Sequence, residues 1–154
     1  EIGVRLVGSE MCIRDSWITA LDRAVGEAGE PPVLVAHSMA CLLVAHWAKD
    51  RPAAASGAVL VAPPDEASPH YPPEAASFAR APTGPLPFPS LVVTSADDPY
   101  CPLPVARRLA VHWGAGFVDM GALGHLNAAS GLGDWPEGWR LLSAFRAGLG
   151  APPP

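Results

Sequence analysis

The sequence predicts an α/β protein in three layers, with helices on both faces of a mostly parallel sheet. Three observations carry that expectation. Short, continuously apolar runs recur at residues 33–36, 58–62 and 91–94, as strands buried on both faces require. Longer segments with helical apolar spacing separate them. The 19 prolines and 15 glycines cluster between these runs, where turns belong. Alternation of strand and helix with short links implies βαβ crossovers. A chain of 154 residues suits one domain with a real core.

Each element has its own signal. Residues 17–28, WITALDRAVGEA, place Trp17, Ile18, Leu21, Ala24, Val25 and Ala28 on one helical stripe. Pro31 and Pro32 end that helix, and the strand VLVA follows. Residues 39–49 form a nearly all-apolar, deeply packed helix, and residues 58–62 a second buried strand. Residues 63–89 are Pro-rich without periodicity, so a loop or short helix at the rim of the site is expected. Residues 91–94 form a third strand. Residues 103–113 form a helix with Arg107 and Arg108 outward. Residues 116–119 form a fourth strand, residues 137–149 a closing helix, and residues 151–154 a frayed tail.

Composition excludes several function classes. The hydrophobic share is 49% and the charged share 16%, which suits a folded chain. Ten Lys and Arg stand against 15 Asp and Glu, a net charge of −5 that argues against nucleic acid or an anionic membrane as partner. No apolar run approaches the roughly 18 residues of a membrane span. Cys12, Cys41 and Cys101 form no metal-like or redox pair, and the five histidines form no metal motif. No cofactor and no metal are therefore implied, and a reducing, cytoplasmic location is expected.

Residues 1–16, EIGVRLVGSEMCIRDS, show neither strand alternation nor a usable helical stripe. The run GSEMCIRDS looks like a translated sequencing-adapter segment; the alternative is an ordinary N-terminal arm. The expected organisation is thus a non-native segment at 1–16, a domain at 17–150 and a disordered tail at 151–154. Residues 1–16 are expected to pack poorly and to form no central strand.

Ligands of open parallel sheets bind beyond the carboxyl ends of the strands. Three of the loops expected there carry a nucleophile, an acid and a base. Ser38 sits at a strand-to-helix junction in VLVAHSMACLLVAHW. A nucleophile elbow normally reads G-x-S-x-G. Here the flanks are Ala36 and Ala40, still small enough for close packing. The backbone N–H of Met39 is the expected first oxyanion donor. Asp97 and Asp98 follow the third strand in SADDPYCP, and either could orient a histidine. His125 lies in the glycine-marked loop GALGHLN. Taken singly, Ser38 could merely cap a helix, the aspartates could open a turn and His125 could be a solvated loop residue. The chain order Ser, Asp, His, each after a different strand, points instead to hydrolase chemistry.

From Trp17 onward the chain resembles the small serine hydrolases related to retinoblastoma-binding protein 9, in the α/β-hydrolase superfamily. The stretches VLVAHSMACLLVAHWA, VLVAPPD, PFPSLVVTSADDPYCP and GHLNAASGLGDWPEGW carry the likeness. The resemblance implies Ser38 as nucleophile, Asp98, the second aspartate of the DDP motif, as acid, and His125 as base. Family members begin with a strand and a tight loop that carries the second oxyanion N–H beside a tryptophan motif. Nothing similar precedes Trp17, so the resemblance implies that the native first strand is missing. Loss of that strand and loop would open a sheet edge and weaken activity.

Other residues carry less. His37 reads either as a support for the acting residues or as packing beside the nucleophile, and His46 and His112 as structural or solvent-facing helix residues. Cys41 reads as core, and Cys101 as an accessible thiol without a base. Asn127, Ser130 and Trp135 follow His125 and are expected to shape the pocket. Tyr71, Phe78 and Phe88 suggest a rim for an apolar acyl or aryl group. The expected function is hydrolysis of a small-molecule ester or amide through an acyl-enzyme. The alternative is a protein-binding member of the fold without catalysis, since fold alone does not fix function.

Overall fold

The computed structural model describes residues 13–52 and 54–150. Among these residues, four parallel strands lie in the order β1-β2-β3-β4: Val33–His37, Gly57–Val61, Ser90–Thr94 and Gly116–Asp119. The register pairs His37 with Val61 and Thr94 with Asp119, so the strands end together along one edge.

The period-two alternation of side chains sorts the strands into two cores. Ala36, Ala58, Leu60 and Val92 face one way, against α1 (Ile13–Gly26), α2 (Met39–Ala48) and α3 (Leu103–His112). Val59, Val61 and Val93 face the other way, against Leu141, Leu142 and Phe145 of α4 (Pro136–Leu149). This is the expected three-layer arrangement. α2 is buried on nearly every side, as its apolar sequence requires, with Cys41, Leu42, Val44 and Trp47 in the core. At the head of α4, Trp135 folds back over Gly138, where any Cβ would stand 2.3 Å from the indole ring. Only glycine permits that approach.

Three expectations need correction. α1 starts at Ile13 rather than Trp17. Ile13 extends the stripe of Trp17, Ile18, Leu21 and Val25 by one turn and packs on the core. Arg14 donates to Ser77 through its backbone N–H and its guanidinium. The remainder of the suspected non-native segment, residues 1–12, lies outside the described residues, as does the expected tail. β1 is not buried on both faces: Val35 is 60% exposed, because β1 ends the strand order among the described residues and α4 covers that face only partly. The rim segment contains a short 3-10 helix, Pro73–Phe78, whose Phe78 is fully buried beneath Trp17, and Phe88 is buried too. Neither phenylalanine borders the cavity at Ser38.

Candidate active site

Ser38 links β1 to α2 with φ 57 and ψ −125, a conformation that costs a non-glycine residue energy and is over-determined by its surroundings. Its N–H donates to the Val61 carbonyl at 2.9 Å, and its carbonyl accepts the Cys41 N–H at 2.9 Å. The turn is held on both sides while the hydroxyl projects beyond the sheet. Ala36 is 5% exposed, so a small side chain is needed at the first flank even though glycine is absent. Met39 opens α2, and its N–H belongs to the first turn, whose donors have no partner within the helix.

Asp98 and His125 meet this hydroxyl from two other loops. His125 Nε2 lies 2.9 Å from Ser38 Oγ. His125 Nδ1 lies 3.0 and 2.9 Å from the two carboxylate oxygens of Asp98. A carboxylate can only accept, so Nδ1 carries the proton, and Nε2 accepts from the serine hydroxyl. The Asp98 side chain is fully buried and that of His125 is 10% exposed. Asp98 Oδ1 also accepts the Tyr100 N–H at 2.9 Å, which fixes the carboxylate plane. Asp98, not Asp97, faces the imidazole. Asp97 turns to the backbone of the histidine loop, where the Gly124 N–H and then the Ser95 hydroxyl hold its carboxyl below the usual range.

His37 reaches the backbone of His125, the contact that the supporting alternative calls for. Its Nε2 donates to the His125 carbonyl at 2.9 Å, and the two rings stand 4.8 Å apart. Tyr100 faces the same imidazole at 4.5 Å. His37 was legible as the first residue after the expected strand, at the edge where ligands bind. Tyr100 was not, because its ring reaches His125 only through the turn at Pro99.

The remaining candidates separate by position. Asn127 borders a cavity of about 410 Å³ at Ser38, together with Met39, Asp65, His70 and Tyr71. Ser130 instead closes a reciprocal cap with Asn127. Trp135 lines an apolar groove of about 360 Å³ on the α4 face, with Val35, Val59 and Trp139. His46 bonds the Phe78 carbonyl at 3.0 Å, and His112 is exposed on α3. Cys101 is 1% exposed, not accessible as expected, because its turn folds inward ahead of α3. Burial pushes its thiol up to about 12 and raises that of Cys41 further.

A family described as serine hydrolase matches residues 8–144. Among solved structures, a YdeN-like hydrolase of Pectobacterium atrosepticum superposes with a TM-score of 0.78 at 28% identity, over 95% of this chain and 76% of that one. The ydeN gene product of B. subtilis gives 0.73 at 21% identity, over 87% and 75%. A meta-cleavage product hydrolase from Pseudomonas fluorescens gives 0.72 at 12% identity, over 96% and 76%. The last two are likenesses of fold alone. No curated protein matches the chain.

Proposed function

The chain belongs to the serine hydrolase family, and from that premise we propose that Ser38, His125 and Asp98 form its catalytic triad and cleave an ester or amide of a small molecule. The observation that carries this reading is the unbroken hydrogen-bonded chain from Ser38 Oγ through the imidazole to the buried Asp98 carboxylate. Ser38 Oγ attacks the substrate carbonyl while His125 Nε2 takes its proton. The Met39 N–H donates to the oxygen on which negative charge develops. His125 then gives the proton to the leaving group, and an acyl group stays on Ser38. Water, deprotonated by the same nitrogen, releases it. Asp98 holds the productive tautomer and stabilises the imidazolium formed in both steps. Within the family, the motifs around Ser38, Asp98 and His125 support a place among the small hydrolases resembling retinoblastoma-binding protein 9. The free, buried thiols of Cys41 and Cys101 suit a reducing compartment such as the cytoplasm.

A fluorophosphonate probe tests the reading directly. Ser38 is the expected site of labelling. Ser38→Ala should abolish it, and His125→Ala should cut it steeply because the hydroxyl loses its base. Labelling that survives Ser38→Ala, or a folded protein that never labels, would restore the non-catalytic binding module as the better account.

A further inference from the structure

The base of this site stands on a loop, not on a helix or strand. Gly121 and Gly124 both have positive φ, 79° and 60°, so the segment before His125 has little stiffness of its own. Two hydrogen bonds on the imidazole cannot by themselves hold the backbone that carries it. Yet the loop is stitched to the segment after β3 almost residue by residue. The Met120 N–H donates to the Thr94 carbonyl at 2.9 Å, and the Ala96 N–H to the Gly121 carbonyl at 2.8 Å. The Leu123 N–H donates to Ser95 Oγ at 2.9 Å. The Gly124 N–H donates to Asp97 Oδ1 at 2.7 Å, and the Ser95 hydroxyl donates to the same oxygen at 2.8 Å.

We propose that Asp97, with Ser95, is a positioning residue: its carboxylate buckles the backbone of the His125 loop so that the imidazole stays aligned between Asp98 and Ser38. The inference rests on the triad reading above. The tandem aspartates then divide one task. Asp98 holds the ring, and Asp97 holds the backbone N–H of the residue before it. Adjacent residues do both because the turn at 96–99 directs one carboxylate inward and leaves the other exposed, against the loop. A charged acceptor makes the shorter, stronger bond to a backbone N–H. On the far side His37 donates to the His125 carbonyl, so the base is pinned at the Gly124 N–H on one side and at its own carbonyl on the other. An alignment error of about 1 Å in such a group can cost roughly 10²-fold in turnover. The loss belongs in kcat, since Asp97 does not border the cavity at Ser38.

The test compares Asp97→Ala, Asp97→Asn and Ser95→Ala in the full chain, each checked for wild-type circular dichroism. Three readouts are taken: fluorophosphonate labelling of Ser38, steady-state hydrolysis of p-nitrophenyl acetate, and amide hydrogen exchange at Leu123 and Gly124. Asp97→Ala should slow labelling and kcat by about 10- to 100-fold, leave KM nearly unchanged and speed exchange at Gly124. Asp97→Asn keeps an acceptor oxygen and should restore most of the rate and of the protection. Ser95→Ala should speed exchange at Leu123 and slow kcat, which keeps the inference testable if Asp97→Ala does not fold. Wild-type kcat in Asp97→Ala, or Asp97→Asn as slow as Asp97→Ala with Gly124 still protected, would overturn the buckle while Ser38→Ala still loses labelling. A wild-type protein that never labels would overturn the triad reading, and the buckle's role in catalysis with it, whatever the exchange shows.

Discussion

A serine hydroxyl is a weak nucleophile at neutral pH, so the proposed mechanism depends on what surrounds the Ser38 oxygen. The left-handed backbone at Ser38 lifts that oxygen out of the sheet, and His125 meets it at 2.9 Å. Asp98→Asn should keep this geometry yet lower kcat by about 10⁴, because an amide favours the wrong imidazole tautomer. Ester hydrolysis with an unchanged melting curve is the check, and a loss below tenfold would remove Asp98 from the mechanism. The cysteines provide a contrast. Burial keeps the Cys101 and Cys41 thiols neutral far above physiological pH, so both should resist maleimide at pH 8 until the chain is unfolded. Peptide mass mapping reads this. Native-state modification of Cys101 would show that its turn opens readily.

At the scale of elements, the two faces of the sheet carry unequal weight. Leu60, on β2, is fully buried between the sheet and the helices of the first face, whereas Val35, on β1, is 60% exposed beside Trp139 of α4. Leu60→Ala should cost about 2–5 kcal/mol by leaving a cavity. Val35→Thr, which keeps the β-branch, should change stability by no more than about 0.5 kcal/mol. Urea unfolding midpoints measure both, and a large loss at Val35 would mean that its face is covered in solution. The elbow is an element property as well. The α2 sequence has apolar residues all round, so its body is buried from Cys41 onward, and the tight turn at Ser38 brings the first N–H donors to the carboxyl edge of the sheet.

For the molecule as a whole, acid should be the weak side of the stability profile. Asp97 is held below the usual 3.8 by the Gly124 N–H and Ser95, and Asp22 by Arg51 and the Trp47 indole. A carboxylate with a lowered folded pKa adds stability that is full above the unfolded value and disappears as pH falls through the folded one. Melting temperatures should therefore be nearly flat from pH 7 to about 5 and fall below about pH 4. The double variant Asp22→Asn with Asp97→Asn should flatten that fall. An equally steep fall in the double variant would assign the acid sensitivity to other groups. These carboxylates tie parts of the chain far apart in sequence, Asp22 to Arg51 and Asp97 to Gly124, so their protonation loosens tertiary contacts rather than any single helix.

The layer order, the strands to within a residue or two and the residue types gathered at the carboxyl edge follow from the sequence by itself. Apolar period and Pro/Gly punctuation are local signals, and a parallel sheet converts chain order into spatial order. That is why Ser38, the Asp97–Asp98 pair and His125 could be named from their places after separate strands. Which of Asp97 and Asp98 faces the imidazole depends on the direction of one turn, and spacing says nothing about it; only the family motif separated them beforehand. The start of α1 at Ile13 was hidden because the run before Trp17 looks foreign to the fold and has no stripe of its own, and Ile13 joins the helical stripe only where the core touches it. Tertiary structure alone decided that His37 and Tyr100 flank His125, that Cys101 and Phe78 are buried and that Val35 is exposed. Each of these depends on which element, distant in sequence, packs against the residue, and local sequence carries no record of that.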